Sequence, residues 1–418
     1  MRMGTLRMRN QIGILLVAAV LVFAAPSIGH ADSLFRLFPE AQANGFYGTN
    51  IPLQGDNGTG DFGSTMVFGF YLDYTSEARY AALHYDTFVQ LFTHQTRFDR
   101  AGQGQFVSAT DDENLSPTTK LHFSDFYYRD ASVVTTITTT DQGPQFNSVL
   151  ALLILANDQA SINQFNAELT HYWGQKWSSE LSLHQTTFFS TGNNNAAQSG
   201  DSYFQGLYTG TDYHFSNRFS VGAGYRFYDW RFTFPGQPGQ QAHWPFVRAS
   251  WQATKNLLFY GMVGPVISHT QGQGDQLNPA GLGSIEYSWR RGTISLSGGQ
   301  EPSFTSALGS VGLLRGFRGD ILYYFTPRLL GSAGGSFYDA TGTDFSGQFA
   351  SWGLGLSQRV NKWLSVNTRF IEIKQNETGS SRFIASGSAG EEQGEWATGD
   401  YFIVGLSASF EAFRWSWR

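Results

Sequence analysis

From Asp400 to Phe413 the chain alternates with a period of two. Phe402, Val404, Leu406, Ala408 and Phe410 are interleaved with Ile403, Gly405, Ser407, Ser409 and Glu411. A strand sends successive side chains to opposite faces, so this spacing makes one apolar face and one face of mostly small or polar groups. Phe413, Trp415 and Trp417 follow within a few residues. Aromatic groups at a strand end suit a lipid–water boundary, and a strand of this kind would close a transmembrane barrel. Closure matters there, because an unpaired strand edge in hydrocarbon leaves backbone groups unsatisfied at several kcal/mol each. The alternative is an edge strand of a soluble β-sandwich, and the remaining chain has to decide.

The same alternation recurs. Phe219, Val221, Ala223, Tyr225 and Phe227 oppose Ser220, Gly222, Gly224, Arg226 and Tyr228; Ala350, Trp352, Leu354 and Leu356 oppose Ser351, Gly353, Gly355 and Ser357; Leu364, Val366, Thr368 and Phe370 oppose Ser365, Asn367 and Arg369. Two classes of connection separate such stretches. Short ones are expected at Thr75–Glu77, Arg129–Ala131, Gly174–Lys176, Ser216–Arg218, Thr254–Asn256, Arg290–Gly292, Thr326–Arg328 and Val360–Lys362; many carry the Asn, Gly, Pro, Lys or Arg that tight turns favour. Long polar ones are expected at Asp99–Pro117, Asp141–Ser161, Thr191–Gly200, Pro235–Gln241, Gln271–Ala280 and Gln375–Gly399. Short turns on one rim and long loops on the other, with aromatic strand ends such as Tyr172, Trp173, Trp177, Tyr287 and Trp289, are the outer-membrane pattern. The expectation is an all-β, antiparallel, up-and-down transmembrane barrel of roughly 16–18 strands, with short periplasmic turns and long extracellular loops. Its first strand would be Gly45–Leu53, and the count falls to the lower figure if the weak pair around Arg129–Ala131 is dropped.

Composition supports the membrane choice. Of 418 residues only 14% are charged and 16% are aromatic, with 48 Gly, yet the mean hydropathy is negative. Alternating lipid-facing and lumen-facing residues cancel in this way, whereas a soluble sandwich of this size would carry more charge.

Arg2, Arg7 and Arg9 precede an apolar run from Ile12 to Ala25, and Gly29-His30-Ala31 offers a small-x-small cleavage site. Residues 1–31 therefore read as a secretory signal peptide, too short for a spanning helix. Residues 32–44 are expected as a short periplasmic lead and 45–418 as the barrel, located in the outer membrane. Removing 1–31 takes three Arg and no acids, so the charge moves from 27 − 33 = −6 to 24 − 33 = −9. Such a chain is not a nucleic-acid binder by its electrostatics. The absence of Cys excludes disulfides and thiolate chemistry.

Val149–Ala156 is an unbroken apolar run inside a polar connection; it reads as a short loop helix, with a plug of the lumen as the sharper alternative. The nine His form no His-x-His or HExxH, and none is spaced to meet a carboxylate cluster on one strand face, so no metal or cofactor is expected. No GxSxG elbow or phosphate loop occurs, and no enzyme activity is expected. Asp111, Asp112 and Glu113, with Glu391, Glu392 and Glu395, are expected as solvated loop charge, with a weak divalent-cation site bridging surface polysaccharide as the alternative.

Charges on the faces opposite the apolar ones are more telling. Arg226, Arg248, Arg290, Arg318 and Arg369, with Glu168, Glu180, Glu286, Asp320 and Glu372, are expected to line the lumen, since an Arg facing mid-bilayer costs ~2–4 kcal/mol. Either they form a mixed network that hydrates and braces the wall, or the Arg side chains form a ladder that passes an anionic polymer.

The hairpins at 62–88, 212–232, 321–342 and 356–376 (FGSTMVFGFYLDYTSEARYAALHYDTF, DYHFSNRFSVGAGYRFYDWRF, ILYYFTPRLLGSAGGSFYDATG and LSQRVNKWLSVNTRFIEIKQN) resemble those of the outer-membrane barrels of exopolysaccharide biosynthesis and export operons, including the PEP-CTERM-associated type. The resemblance implies a barrel for secretion of a hydrophilic polymer, with outer-membrane lipid, polysaccharide and periplasmic export components as partners. No residue role is carried over from it. A general diffusion porin for small solutes is the second reading, and a structural barrel displaying its loops to a partner the third.

Overall fold

The structure, a computed structural model, describes residues 33–49, 60–94, 100–129, 160–190, 202–232, 239–270, 274–305, 310–342, 345–379 and 397–417. The strands in chain order are β1 (Ser33–Gly48), β2 (Asp61–Thr75), β3 (Arg79–Phe92), β4 (Arg100–Ser116), β5 (Thr119–Arg129), β6 (Ala160–Tyr172), β7 (Trp177–Ser190), β8 (Ser202–Ser216), β9 (Phe219–Phe232), β10 (Gln240–Thr254), β11 (Leu257–Thr270), β12 (Gln276–Trp289), β13 (Gly292–Thr305), β14 (Ser310–Thr326), β15 (Leu329–Gly342), β16 (Phe345–Arg359), β17 (Leu364–Gly379), β18 (Ala397–Ser409) and β19 (Phe413–Trp417). Each pairs antiparallel with its sequence neighbours, and β1 pairs with both β2 and the C-terminal strands, which closes the sheet on itself.

β18 and β19 are two halves of one strand. Glu40 pairs with Ser409 and Leu37 with Phe413, so four steps along the C-terminal strand match three along β1. That single extra residue is a β-bulge. The barrel therefore has 18 strands, the upper of the two expected counts. The bulge shifts the side-chain phase, which keeps Phe413 on the outward face with Phe410, where both are exposed.

The faces divide as the alternation predicts. Along β18, Phe402, Val404 and Leu406 are exposed while Tyr401, Ile403 and Gly405 are buried. Phe62, Met66 and Phe68 continue the outward belt on β2, and Val247, Val263, Leu296, Phe317 and Leu354 carry it around the wall. Trp173, Trp177, Phe215, Phe325 and Trp363 are exposed beside the short turns. A continuous belt of this kind is stable against hydrocarbon and costly against water.

Several expectations are corrected. Residues 32–44 are not a lead: β1 begins at Ser33 and ends at Gly48, rather than running Gly45–Leu53. Ser33–Leu37 is the segment that pairs with β19, so the lead-like amphipathic stretch completes the seam. The loop expected at Asp99–Pro117 is mostly β4, and a short turn joins Ser116 to Thr119; of the turn expected at Arg129–Ala131, Arg129 is the last residue of β5 and 130–131 lie outside the described residues. Both faces of β4 (RAGQGQFVSATDDENLS) are mixed, with Phe106, Ser108, Thr110 and Asp112 on the inward one and Gln105, Val107, Ala109, Asp111 and Glu113 on the other, so it lacks the apolar alternation that marks its neighbours. Asp111, Asp112 and Glu113 consequently sit in a strand: Asp111 is ion-paired to Arg79 with both side chains buried, and Asp112 lies 2.7 Å from His122 Nδ1. The long connections at Pro235–Gln241, Gln271–Ala280 and Gln375–Gly399 are shorter than expected, since β10, β12, β17 and β18 each take part of them. The apolar run 149–156 and Glu391, Glu392 and Glu395 lie outside the described residues.

Candidate functional site

An 18-stranded barrel encloses more space than wall side chains fill; its candidate site is the lumen wall. Inward parity on β7–β10 places Glu180, Tyr208, Asp212, Arg226, Trp244, Phe246 and Arg248 on one stretch of wall. Arg248 is bidentate to Asp212, with Nε donating to Oδ1 at 2.8 Å, and its Nη1 donates to Glu180 Oε2 at 3.1 Å and to the Tyr208 hydroxyl. The guanidinium thus ties three strands together. A planar fork does this where an ammonium would not, because its donors match a carboxylate in pairs.

Arg226, one step further along the wall, rests on aromatic faces instead. Its guanidinium carbon lies 5.2 Å from the Tyr208 ring, 5.2 Å from that of Trp244 and 5.7 Å from that of Phe246. These rings belong to an inward apolar cluster with Trp230, Met262, Val266 and Ala280. Cation–π contacts of this kind contribute ~0.5–2 kcal/mol each, more as water is excluded. A second inward cluster, Val67, Phe88, Phe106 and Tyr128, lies on β2–β5.

Of the charges expected in the lumen, Arg226, Arg248, Arg318, Arg369, Glu286, Asp320, Glu168 and Glu180 occupy inward register positions. Arg318 is paired with Asp320 two residues along the same strand, Nη2 to Oδ1 at 3.1 Å, and Ser288 Oγ donates to Glu286 at 3.3 Å. Two expectations fail. Arg290 is in the exposed turn between β12 and β13. Glu372 has the outward parity of Phe370; it accepts from Trp352 Nε1 at 2.8 Å and pairs with Lys374 at 2.7 Å. Its position two residues past Phe370, on the same face, was readable from the alternation itself.

Other inward groups went unanticipated. Arg36 Nε and Nη2 donate to Asp73 at 2.9 and 2.7 Å across β1 and β2. Glu40, His84 and Asp86 converge on β1 and β3, with His84 Nε2 3.3 Å from Glu40 and 3.1 Å from Asp86. The absence of a histidine spaced to meet carboxylates on one strand face is therefore corrected: in His84-Tyr85-Asp86 the period of two puts the imidazole and carboxylate on the same face. Glu40 was hidden by its assignment to a lead. A cavity of about 630 Å³ adjoins these carboxylates and is also lined by Gln42, Arg359, Lys362 and Ser409.

Among the described residues the inward Arg side chains thus do not form an uncompensated ladder. Arg36, Arg248 and Arg318 each face a carboxylate, which closes their field locally and braces neighbouring strands.

No family model matches the sequence, and no curated protein is similar to it. Among solved structures, Pseudomonas aeruginosa OccK2 (OpdF) in complex with glucuronate is similar over 91% of this chain and 98% of its own, at 11% identity and a TM-score of 0.45. Pseudomonas aeruginosa OpdO matches over 91% and 98%, at 11% identity and 0.44. The siderophore receptor PirA of the same organism matches over 90% and 80%, at 9% and 0.41. Likeness this distant says nothing about the role of the present chain, and the closed barrel stands on its own strand pairings.

Proposed function

We propose that the chain is a passive channel in the outer membrane that admits small hydrophilic solutes. The observation that carries this reading is the pairing of inward charge. Arg36, Arg248 and Arg318 are each met by a carboxylate on the same wall, so the lumen offers polar groups of both signs rather than rings of one sign. Such a wall hydrates and admits neutral and weakly charged solutes with little ion selectivity. Outward, the apolar belt suits lipid; inward, an 18-strand circumference leaves room for water.

Passage of an exopolysaccharide, which the hairpin resemblance implies, is the narrower reading. The rings of Tyr208, Trp244 and Phe246 beside Arg226 are buried within their cluster, so they offer no open stacking face to a sugar ring and the reading rests on the resemblance. An Arg ladder is not part of the proposal.

Liposome swelling separates the two. Purified protein in vesicles should admit monosaccharides and amino acids, with rates falling steeply as solute size grows. Equal passage of long oligosaccharides would favour the polymer reading, and no swelling with any solute would remove the channel. Arg226→Glu and Arg369→Glu, read by single-channel ion selectivity, test whether those side chains face the conducting path; unchanged selectivity in both would show that they do not.

A further inference from the structure

Glu40, Gly69 and Asp86 lie in one row across β1, β2 and β3: Glu40 pairs with Gly69, and Gly69 with Asp86. Both carboxylates are inward, and the glycine between them leaves the gap they need. A Cβ on Gly69 would meet Asp86 Oδ1 at 2.0 Å and the Tyr85 carbonyl at 2.1 Å. Into the same gap comes His84, two residues from Asp86 on β3. Its Nε2 is buried 3.1 Å from Asp86 Oδ2 and 3.3 Å from Glu40 Oε2, yet it makes no hydrogen bond of acceptable direction to either.

Ligands held 2.0–2.2 Å from a tetrahedral zinc ion lie about 3.3–3.6 Å apart, so the 3.1 and 3.3 Å separations here need only small side-chain shifts to admit an ion. The imidazole and the two carboxylates also supply one ligand atom each, all within 4.8 Å of one another. The supporting contacts are of the kind that orient ligands: Ser409 Oγ donates to Glu40 Oε1 at 3.3 Å, and the imidazole packs edge-on against Phe106, centroids 5.2 Å apart, and Tyr71, 6.2 Å apart. Glu40 and Asp86 border the 630 Å³ cavity, which provides an entry path.

We propose that Glu40, His84 and Asp86 form a binding site for a divalent cation of the zinc class on the lumen wall. Three protein ligands hold the ion and leave an open coordination position, as in exchangeable rather than structural zinc sites. An imidazole with two carboxylates favours zinc or a neighbouring transition ion over magnesium, which prefers an all-oxygen octahedral shell. The inference is independent of whether the lumen conducts, because it is read by binding in detergent.

Calorimetric titration of the purified protein with ZnCl2 should show one saturable equivalent, with MgCl2 at the same concentration failing to compete. His84→Ala and Asp86→Asn should each weaken binding at least tenfold. Gly69→Ala should do the same through displacement of Asp86. His122→Ala, which removes a different inward His–carboxylate contact, should leave binding unchanged. Heat-modifiable migration on gels confirms that each variant is folded. Should His84→Ala fail to fold, CoCl2 added to the unmodified protein decides the matter, with d–d absorption of a low-coordinate nitrogen–oxygen site expected. Absence of a saturable equivalent, featureless octahedral cobalt absorption, or equal losses in His84→Ala and His122→Ala would each overturn the site.

Discussion

Arg248→Met removes the one cation that joins Asp212 and Glu180. The formal charge of the three groups goes from +1 − 2 = −1 to −2. Two effects follow, one on stability and one on ion passage. Removing one partner of a buried ion pair costs ~3–5 kcal/mol. The three side chains retain exposures of 12%, 16% and 24%, so water relieves part of that, and about 3 kcal/mol is expected. For an ion passing about 5 Å from the added negative charge, the Coulomb energy in water is ~0.8 kcal/mol. Screening at 0.1 M salt, where the Debye length is about 10 Å, leaves roughly 0.5 kcal/mol. A cation gains this and an anion loses it, so the cation-to-anion permeability ratio should rise by about fivefold. The assay is the reversal potential of reconstituted protein in a salt gradient, repeated at 1 M, where the shift should nearly vanish. A folded variant whose ratio stays within about twofold of the parent, or moves toward anions, would refute the placement of these charges beside the conducting path.

Other substitutions test the wall and its seam. Val404→Arg puts a charge in the outward belt between Phe402 and Leu406 and should lower unfolding free energy in vesicles by ~2–4 kcal/mol; a soluble sandwich would tolerate it, which urea titration distinguishes. Gly405→Val brings a Cβ to 1.9 Å from Asn44 Oδ1 at the β1–β18 seam, and overpacking of about 1–3 kcal/mol should appear as slowed acquisition of heat-modifiable migration. Deleting residues 33–37 removes the partner of β19, so the barrel should fail to close; normal assembly would show that these residues are dispensable after all. Asp320→Asn, by contrast, breaks a half-exposed pair with Arg318 and should change stability by less than about 1 kcal/mol in thermal unfolding.

Alternation and turn chemistry determined the fold class by themselves. A strand half exposed to lipid must repeat every two residues, and Phe402 through Phe410 or Phe219 through Phe227 do so without help from distant parts of the chain. Seven of the eight expected short connections coincide with turns between strands; the exception is the one beside β4, whose outward positions mix Gln105, Asp111 and Glu113 with Val107 and Ala109 instead of an apolar row. The count of strands followed only once closure assigned Ser33–Leu37 to the seam, because nothing local distinguishes an amphipathic lead from half a strand.

The site depended on pairing between strands far apart in sequence. Periodicity states which face a charge is on, and for Arg248 or Arg318 that was enough to place it inward; for Glu372 the same parity, followed past Phe370, gives the outward face that the structure has. It does not state what lies across the row. Arg248 meets Glu180 68 residues away, and Glu40 reaches Asp86 only because β2 presents a glycine between them. Register is set by the summed burial and hydrogen bonding of whole strands. The partners of each inward charge, and with them whether the lumen is a positive ladder or a neutralised wall, were decided by the closed tertiary structure alone.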